Sequence, residues 1–328
     1  MKIAFTVCNR HHLSHALVLA HSLRQHNPDR RFFLGWVDRM QLPNLPNWIS
    51  VIPVESLEMA DWISMEQRYF DFELVAGCKP FFARYLLTTF PDCEELLFLS
   101  PTTQVFDLLD KVANSSDFLQ LNPQRLRPIG DFGGRRMGRY QLDDKRILNT
   151  GMYQAGSWIM HPDGQEKAML SWWCDRMTDR GLLDLCEGMC LDQLWLNYLP
   201  IYHERVETIR NPGWQYGLPA VPGSKFTFIQ GQYFVDNSPL VSLDFAGIET
   251  HHPLLSDYVD LVDGKPLWTD LRHSYRNSLQ EYDFSFDIAI STYGNPTIVK
   301  SQRNYRRRAV RFLKNLIDGI EHFDWTYN

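Results

Sequence analysis

Two pairs of adjacent histidines, His11-His12 and His251-His252, are the first residues in this chain whose type suggests metal chemistry. Neighbouring imidazoles cannot readily close on one ion, so both pairs read as polar surface. Cys186-x3-Cys190 is a second metal-like spacing, but no further Cys/His pair at zinc spacing follows it. The cysteines at 8, 78, 93, 174, 186 and 190 lie mostly in apolar segments and are expected as buried thiols, with no zinc. Anion binding has better material. Arg125 to Arg139 contains Gly130, Gly133, Gly134, Arg135, Arg136 and Gly138, a composition suited to a loop over a site. Arg135 and Arg136 offer forks that fit phosphate oxygens and Lys79 adds a cation, although each is equally readable as a solvated surface charge. Asp192 reads as a helix N-cap carboxylate or as a ligand-binding one. Trp214, in the loop Asn211-Pro212-Gly213-Trp214, has a ring that could stack on a bound group.

The elements that must position these groups alternate between strand and helix. Ile3 to Val7 is β-branched and aromatic, and Leu13, Leu17, Ala20 and Leu23 then recur at helical spacing. Phe32 to Val37 and Ile49 to Val54 are further strand-like runs, the alternation expected of a mostly parallel sheet. Glu73 to Phe90 reads as a long helix interrupted near its start by Gly77 and Pro80, followed by a short buried strand at Leu96 to Leu99. Asn149 to Met160 reads as a strand, Gln165 to Arg180 as a helix, Leu191 to Leu199 as a shorter helix and Leu240 to Phe245 as a strand. No G-x-G-x-x-G follows the first strand and no G-x4-G-K-[ST] occurs, which removes the commonest dinucleotide and triphosphate cradles.

A net charge of -6 gives no global attraction to nucleic acid, so an anionic ligand must be held locally. No apolar stretch approaches the ~20 residues needed to cross a bilayer, and the first residues enter a strand without a charged-then-apolar leader. A cytoplasmic protein is expected. Arg303, Arg306, Arg307, Arg308, Arg311 and Lys314 interleave with Val310, Phe312, Leu313 and Leu316, a basic helical segment that reads equally as a solvated face or as peripheral contact with the inner face of an anionic membrane.

Several segments in order resemble the GT-A glycosyltransferases, in particular the retaining family that includes glycogenin and the lipopolysaccharide galactosyltransferases. Ile3 to Asn9 with His15 to Leu23 is similar to that family's first strand and helix, and Lys79-Pro80-Phe81-Phe82-Ala83-Arg84-Tyr85-Leu86-Leu87 to the helix that carries a basic residue toward the sugar nucleotide. Asn149-Thr150-Gly151 resembles the Asn-x-Gly strand start, and Asp192-Gln193-Leu194-Trp195-Leu196-Asn197 the Asp-Gln-x-x-x-Asn helix. After Leu96 to Leu99, where the family places the metal-binding Asp-x-Asp, this chain reads Ser100-Pro101-Thr102, and Asp244 stands where many relatives have a metal-binding histidine.

The resemblance implies a GT-A fold: a single mixed, mostly parallel sheet flanked by helices over residues 1–250, with a C-terminal extension carrying the basic helix over 251–328. It implies transfer of a hexose from a nucleoside-diphosphate sugar, UDP-sugar favoured, with retention, to a saccharide, lipid-linked or protein acceptor. Asn149 and Asp192 would hydrogen-bond sugar hydroxyls and Gln193 would lie near the anomeric carbon. Thr6, Asn9, Asp38, Lys79, Ser100, Thr102, Arg135 and Arg136 would bind the donor. Hydroxyls are poor ligands for a hard cation, so affinity for the Mn2+ or Mg2+ of relatives is expected to be much reduced here; no metal ligand is assigned, with Asp244 the weak candidate. Two alternatives stay open: a non-catalytic binding module of the same fold, and a metal enzyme whose cation is held by Asp244 with a carboxylate such as Asp131.

Overall fold

The computed structural model describes residues 1–112, 117–128, 144–282, 284, 286 and 289–297, together with residues 309, 312, 313, 316, 317, 319 and 320. In chain order the first half gives β1 (Lys2–Cys8), α1 (Leu13–His26), β2 (Arg31–Trp36), β3 (Ile49–Pro53), α2 (Trp62–Arg68), α3 (Asp71–Thr89), β4 (Glu95–Leu99), β5 (Thr103–Val105) and β6 (Leu119–Pro123). There follow α4 (Asp144–Thr150), β7 (Tyr153–Met160), α5 (Glu166–Asp179), the small hairpin β8 (Leu183–Asp184) and β9 (Met189–Cys190), α6 (Leu199–Tyr202) and β10 (Val206–Thr208). The last part holds β11 (Phe226–Ile229), β12 (Gln232–Val235), β13 (Ser238–Pro239), β14 (Ser242–Asp244) and α7 (Pro266–Gln280).

Seven strands form one sheet in the order β10-β6-β7-β4-β1-β2-β3. It is mixed and mostly parallel: β7 alone runs antiparallel to its neighbours, β4 and β6, while β1 pairs in parallel with both β2 and β4. Helices cover the sheet, as the sequence led us to expect. The central strands are apolar on both faces because both faces are covered. Along β1, Ile3, Phe5 and Val7 enter the core beneath α3 and α5, with Phe82, Trp158 and Trp173. Ala4 and Cys8 face the opposite core, which contains Leu13, Leu17 and Leu23 of α1. The period-two alternation of strand side chains produces this division.

A third apolar cluster joins α7, through Trp268, Leu271 and Tyr275, to Tyr216, Leu243 and Phe245. Beyond α7 a strap returns across the first half of the chain. Arg10 donates to Ile290 O at 2.8 Å, Asp71 N–H to Asn295 O at 2.9 Å and Asn295 N–H to Tyr69 O at 2.8 Å.

Three sequence expectations change. α3 passes through Gly77 and Pro80 without a break. A proline inside a helix costs about 3 kcal/mol, but a buried large apolar side chain contributes about 1.5–3 kcal/mol, and Leu74, Phe81, Phe82 and Leu86 of this helix are all buried. The helix also begins earlier than predicted, because the buried Glu73 carboxylate accepts from Phe70 N–H at 2.9 Å and from Leu183 N–H at 2.8 Å. Asn149 and Thr150 end α4 rather than beginning a strand, and β7 starts at Tyr153. Finally, the segment after Gln193 is a 3-10 helix, Leu194–Tyr198, that passes into the four-residue α6.

Candidate active site

The sheet presents a cavity of about 210 Å³ beside the C-terminal ends of β1 and β4. In an open α/β sheet this is the edge where ligands bind. Of the residues singled out from sequence, Asn9, Lys79, Ser100, Thr102, Asp192, Gln193 and Asp244 line it. They come from five separate stretches of chain.

Asp192 is buried, and Lys79 on α3 reaches its Oδ2 at 2.8 Å. Burial raises the Asp192 pKa above the ordinary carboxylate value, against the pull of the Lys79 ammonium. The preceding Leu191 has φ of +53°, a strained position for a branched side chain immediately before the carboxylate. Gln193 is pinned on both ends of its amide. Nε2 donates to Thr150 O at 2.9 Å and Oε1 accepts from Ala155 N–H at 3.3 Å. Gly151, at φ of +109°, lets the turn after α4 approach Gln193 so closely that an added Cβ would meet Gln193 O at 3.2 Å. The two motifs therefore do meet, through Thr150 and Gly151. Asn149 itself is exposed and does not line the cavity.

Where β4 ends, Ser100 and Thr102 meet Asp244 of β14. Ser100 Oγ and Thr102 Oγ1 are 2.9 Å apart, and Thr102 Oγ1 donates to Asp244 Oδ1 at 2.5 Å. The same Oδ1 accepts from Ala246 N–H at 3.0 Å. Burial raises the Asp244 pKa, opposed by those two hydrogen bonds and by Lys79. A chain of two neutral hydroxyls ending on one carboxylate does not fit a hard divalent cation, which favours several charged or carbonyl oxygens. Among the described residues no group of three or more His, Cys, Asp or Glu side chains could hold a metal ion. Among the described residues the Mn2+ or Mg2+ of the family pattern finds no matching donor set.

Most of the remaining candidates lie elsewhere. Asp38 is outside the cavity lining, its carboxylate taken by Arg10: Nε donates at 2.8 Å, a second guanidinium nitrogen bonds the other oxygen, and Arg10 and Met40 N–H each donate at 3.0 Å. Burial pushes the Asp38 pKa up, but these bonds outweigh it and the carboxyl sits below its ordinary value. Thr6 is buried in β1, and its Oγ1 has no hydrogen-bond partner among the described residues. Asn9 caps the short turn Arg10–His12, its Oδ1 accepting from His11 N–H at 3.1 Å. Arg135, Arg136 and Asp131 lie outside the described residues, as do the basic residues of the tail. Trp214 is a core residue rather than a free ring, 3% exposed, with its indole N–H donating to Ser157 Oγ at 2.8 Å.

Sequence reasoning missed four lining residues, His11, His12, His251 and His252. Both pairs were read as polar surface, but all four border the cavity, His12 and His252 being the less exposed member of each pair. His12 Nε2 lies 3.3 Å from Thr250 Oγ1, and burial, with His15 and His11 nearby, lowers its pKa to about 3. His252 is lowered to about 3 by burial, then by Lys79, His12 and His251. Its Nδ1 accepts from Leu254 N–H at 3.2 Å, which places the ring proton on Nε2.

No family model matches the chain, and no curated protein matches it. Among solved structures it is similar to the galactosyltransferase LgtC in complex with donor and acceptor sugar analogues, with 17% identity and a TM-score of 0.48 over 85% of this chain and 100% of that one. An active-site mutant of LgtC aligns with 15% identity and a TM-score of 0.45 over 84% of this chain and 96% of that one. The apo form of the glycosyltransferase GlyE of Streptococcus pneumoniae TIGR4 aligns with 12% identity and a TM-score of 0.41 over 86% of this chain and 62% of that one.

Proposed function

We propose that the chain is a glycosyltransferase that moves a hexose from a nucleoside-diphosphate sugar, with UDP as the favoured nucleotide, to a saccharide, lipid-linked or protein acceptor, with retention and without a divalent cation. The observation that carries this reading is the convergence of Lys79, Asp192, Gln193, Ser100 and Thr102 on one cavity at the C-terminal edge of the sheet. Those residues come from motifs that resemble donor-binding and sugar-binding segments.

The reaction breaks the bond between the anomeric carbon and a phosphate oxygen and forms one from that carbon to the acceptor oxygen. With attack on the face the leaving group departs from, the leaving phosphate oxygen takes the acceptor proton, so no strong protein base is needed. Gln193, held at both ends of its amide, presents a neutral dipole beside the sugar. Asp192, oriented by Lys79, accepts from sugar hydroxyls. Preorganised dipoles of this kind stabilise charge that develops in the transition state without reorganising.

A panel of UDP-, GDP-, dTDP- and CMP-sugars tested by thermal melting, each with manganese and with EDTA, checks the reading, because specific binding raises the melting temperature. A rise with a diphosphate donor that survives EDTA is expected; no rise with any donor sinks it. The closed Ser100–Thr102–Asp244 arrangement also favours a second reading, a binding module, which predicts the same rise with no turnover.

A further inference from the structure

If the donor is a sugar nucleotide, as proposed above, its diphosphate brings two negative charges into a cavity where no metal-binding side-chain cluster occurs among the described residues. The permanent cations on the lining among the described residues are Lys79 and Arg146, and Lys79 is committed to Asp192. Besides Lys79 and Arg146 of α4, the lining carries the imidazoles of His11, His12, His251 and His252, of which His12 and His252 are the less exposed. We propose that His12 and His252 are the diphosphate-binding groups of this site, taking the leaving-group charge by accepting protons as the donor binds.

The geometry supplies three supports. His12 and His252 both line the cavity, one from the turn after β1 and one from the loop after β14. Thr250 Oγ1 contacts His12 Nε2 at 3.3 Å, which links those two segments across the cavity. The Nδ1 of His252 is occupied by Leu254 N–H, so Nε2 carries the ring proton and is left to donate. Behind them His15 Nδ1 lies 2.7 Å from Tyr275 Oη, which in turn donates to Thr102 O at 3.5 Å. This buried pair ties the histidine cluster to the Ser100–Thr102 segment.

The surrounding charges set the direction of the effect. His12 faces His11 and His15 with Asp71 opposing them, and His252 faces Lys79, His12 and His251. Without an anion this mutual repulsion, added to burial, keeps both rings neutral at neutral pH. A diphosphate reverses the local field, so the bound state holds protons that the free state does not. By linkage, donor affinity then rises as pH falls.

The test uses UDP-glucose, with UDP-galactose, GDP-mannose and dTDP-glucose as further probes, bound to the full chain in EDTA. A diphosphate esterified at both ends has no ionisation of its own near neutrality. Titration calorimetry between pH 8 and 5.5, in buffers of differing ionisation enthalpy, is expected to show proton uptake and an affinity gain of about tenfold per proton taken up per pH unit. The gain is lost in the H12Q/H252Q double variant and kept in D244N, which separates the imidazoles from the Asp244 carboxyl. Ligand-free melting confirms that each variant folds, and proton uptake by the unsubstituted protein tests the proposal should the double variant not fold. Affinity that is flat with pH and without proton uptake, or a gain that persists in H12Q/H252Q, overturns the histidine assignment while leaving the transferase reading standing. Absence of binding by every probe at every pH overturns the transferase reading itself.

Discussion

Asp38 is buried and Asp244 half-buried, both near strand ends, yet desolvation wins in Asp244 and hydrogen bonding in Asp38. Asp38 meets a guanidinium and two backbone N–H groups, whereas Asp244 meets one hydroxyl and one N–H. The raised Asp244 pKa has a stability consequence. A carboxyl whose folded pKa lies above its unfolded value binds more protons when folded, so its contribution is fully present below the unfolded pKa and is lost as pH rises through the folded one. Asp244→Asn keeps an Oδ1 to accept from Thr102 and Ala246 but carries no charge. The variant should therefore melt above the unsubstituted protein at pH 8, with the difference shrinking toward pH 4; a constant difference across that range refutes the assignment. Sequence alone could not separate these two aspartates. A residue type names a capability, and only the neighbours decide whether it is already spent.

At the level of elements, the order of strands and helices was readable because buried strands and amphipathic helices carry strong periodic signals. Where those signals conflicted with propensity, tertiary packing decided: α3 runs through Gly77 and Pro80 because its apolar residues are needed on the sheet. The cavity-facing loops were much less legible. Their conformations depend on backbone positions such as Gly151 and Gly247 whose significance appears only against their partners. Gly247 sits at φ of +76°, and a Cβ there would meet Leu255 Cβ at 2.7 Å and Leu255 C at 2.8 Å. Gly247→Ala thus combines left-handed backbone strain with a clash against main chain, each costing about 1–3 kcal/mol. We expect a lowered melting temperature together with weaker donor binding, because the loop that carries His252 is anchored at this glycine. An unchanged melting temperature would show that the loop relaxes freely.

Across the whole molecule, the sequence reading of buried thiols holds for five of the six cysteines and is corrected at Cys186. All six are free; five are buried and Cys186 is exposed. Burial pushes the Cys93 thiol up to about 11 and those of Cys174 and Cys190 up to about 12. A chromogenic disulfide reagent should therefore modify one thiol rapidly in the native protein and the others only after unfolding; several fast thiols would contradict the packing described. The cavity is the least local feature of all. Its lining runs from Val7 to Tyr258, and the strap at 290–297 fastens Arg10 and Asp71 from beyond α7. A ribosome delivers these parts in order and at intervals, so the pocket comes into being late. A nascent chain of 250 residues still lacks His252 and the strap. A donor in the surrounding solution cannot act as a template for the early strands, which must find their places unaided, and the stabilisation proposed for it waits until His252 and the strap have been made.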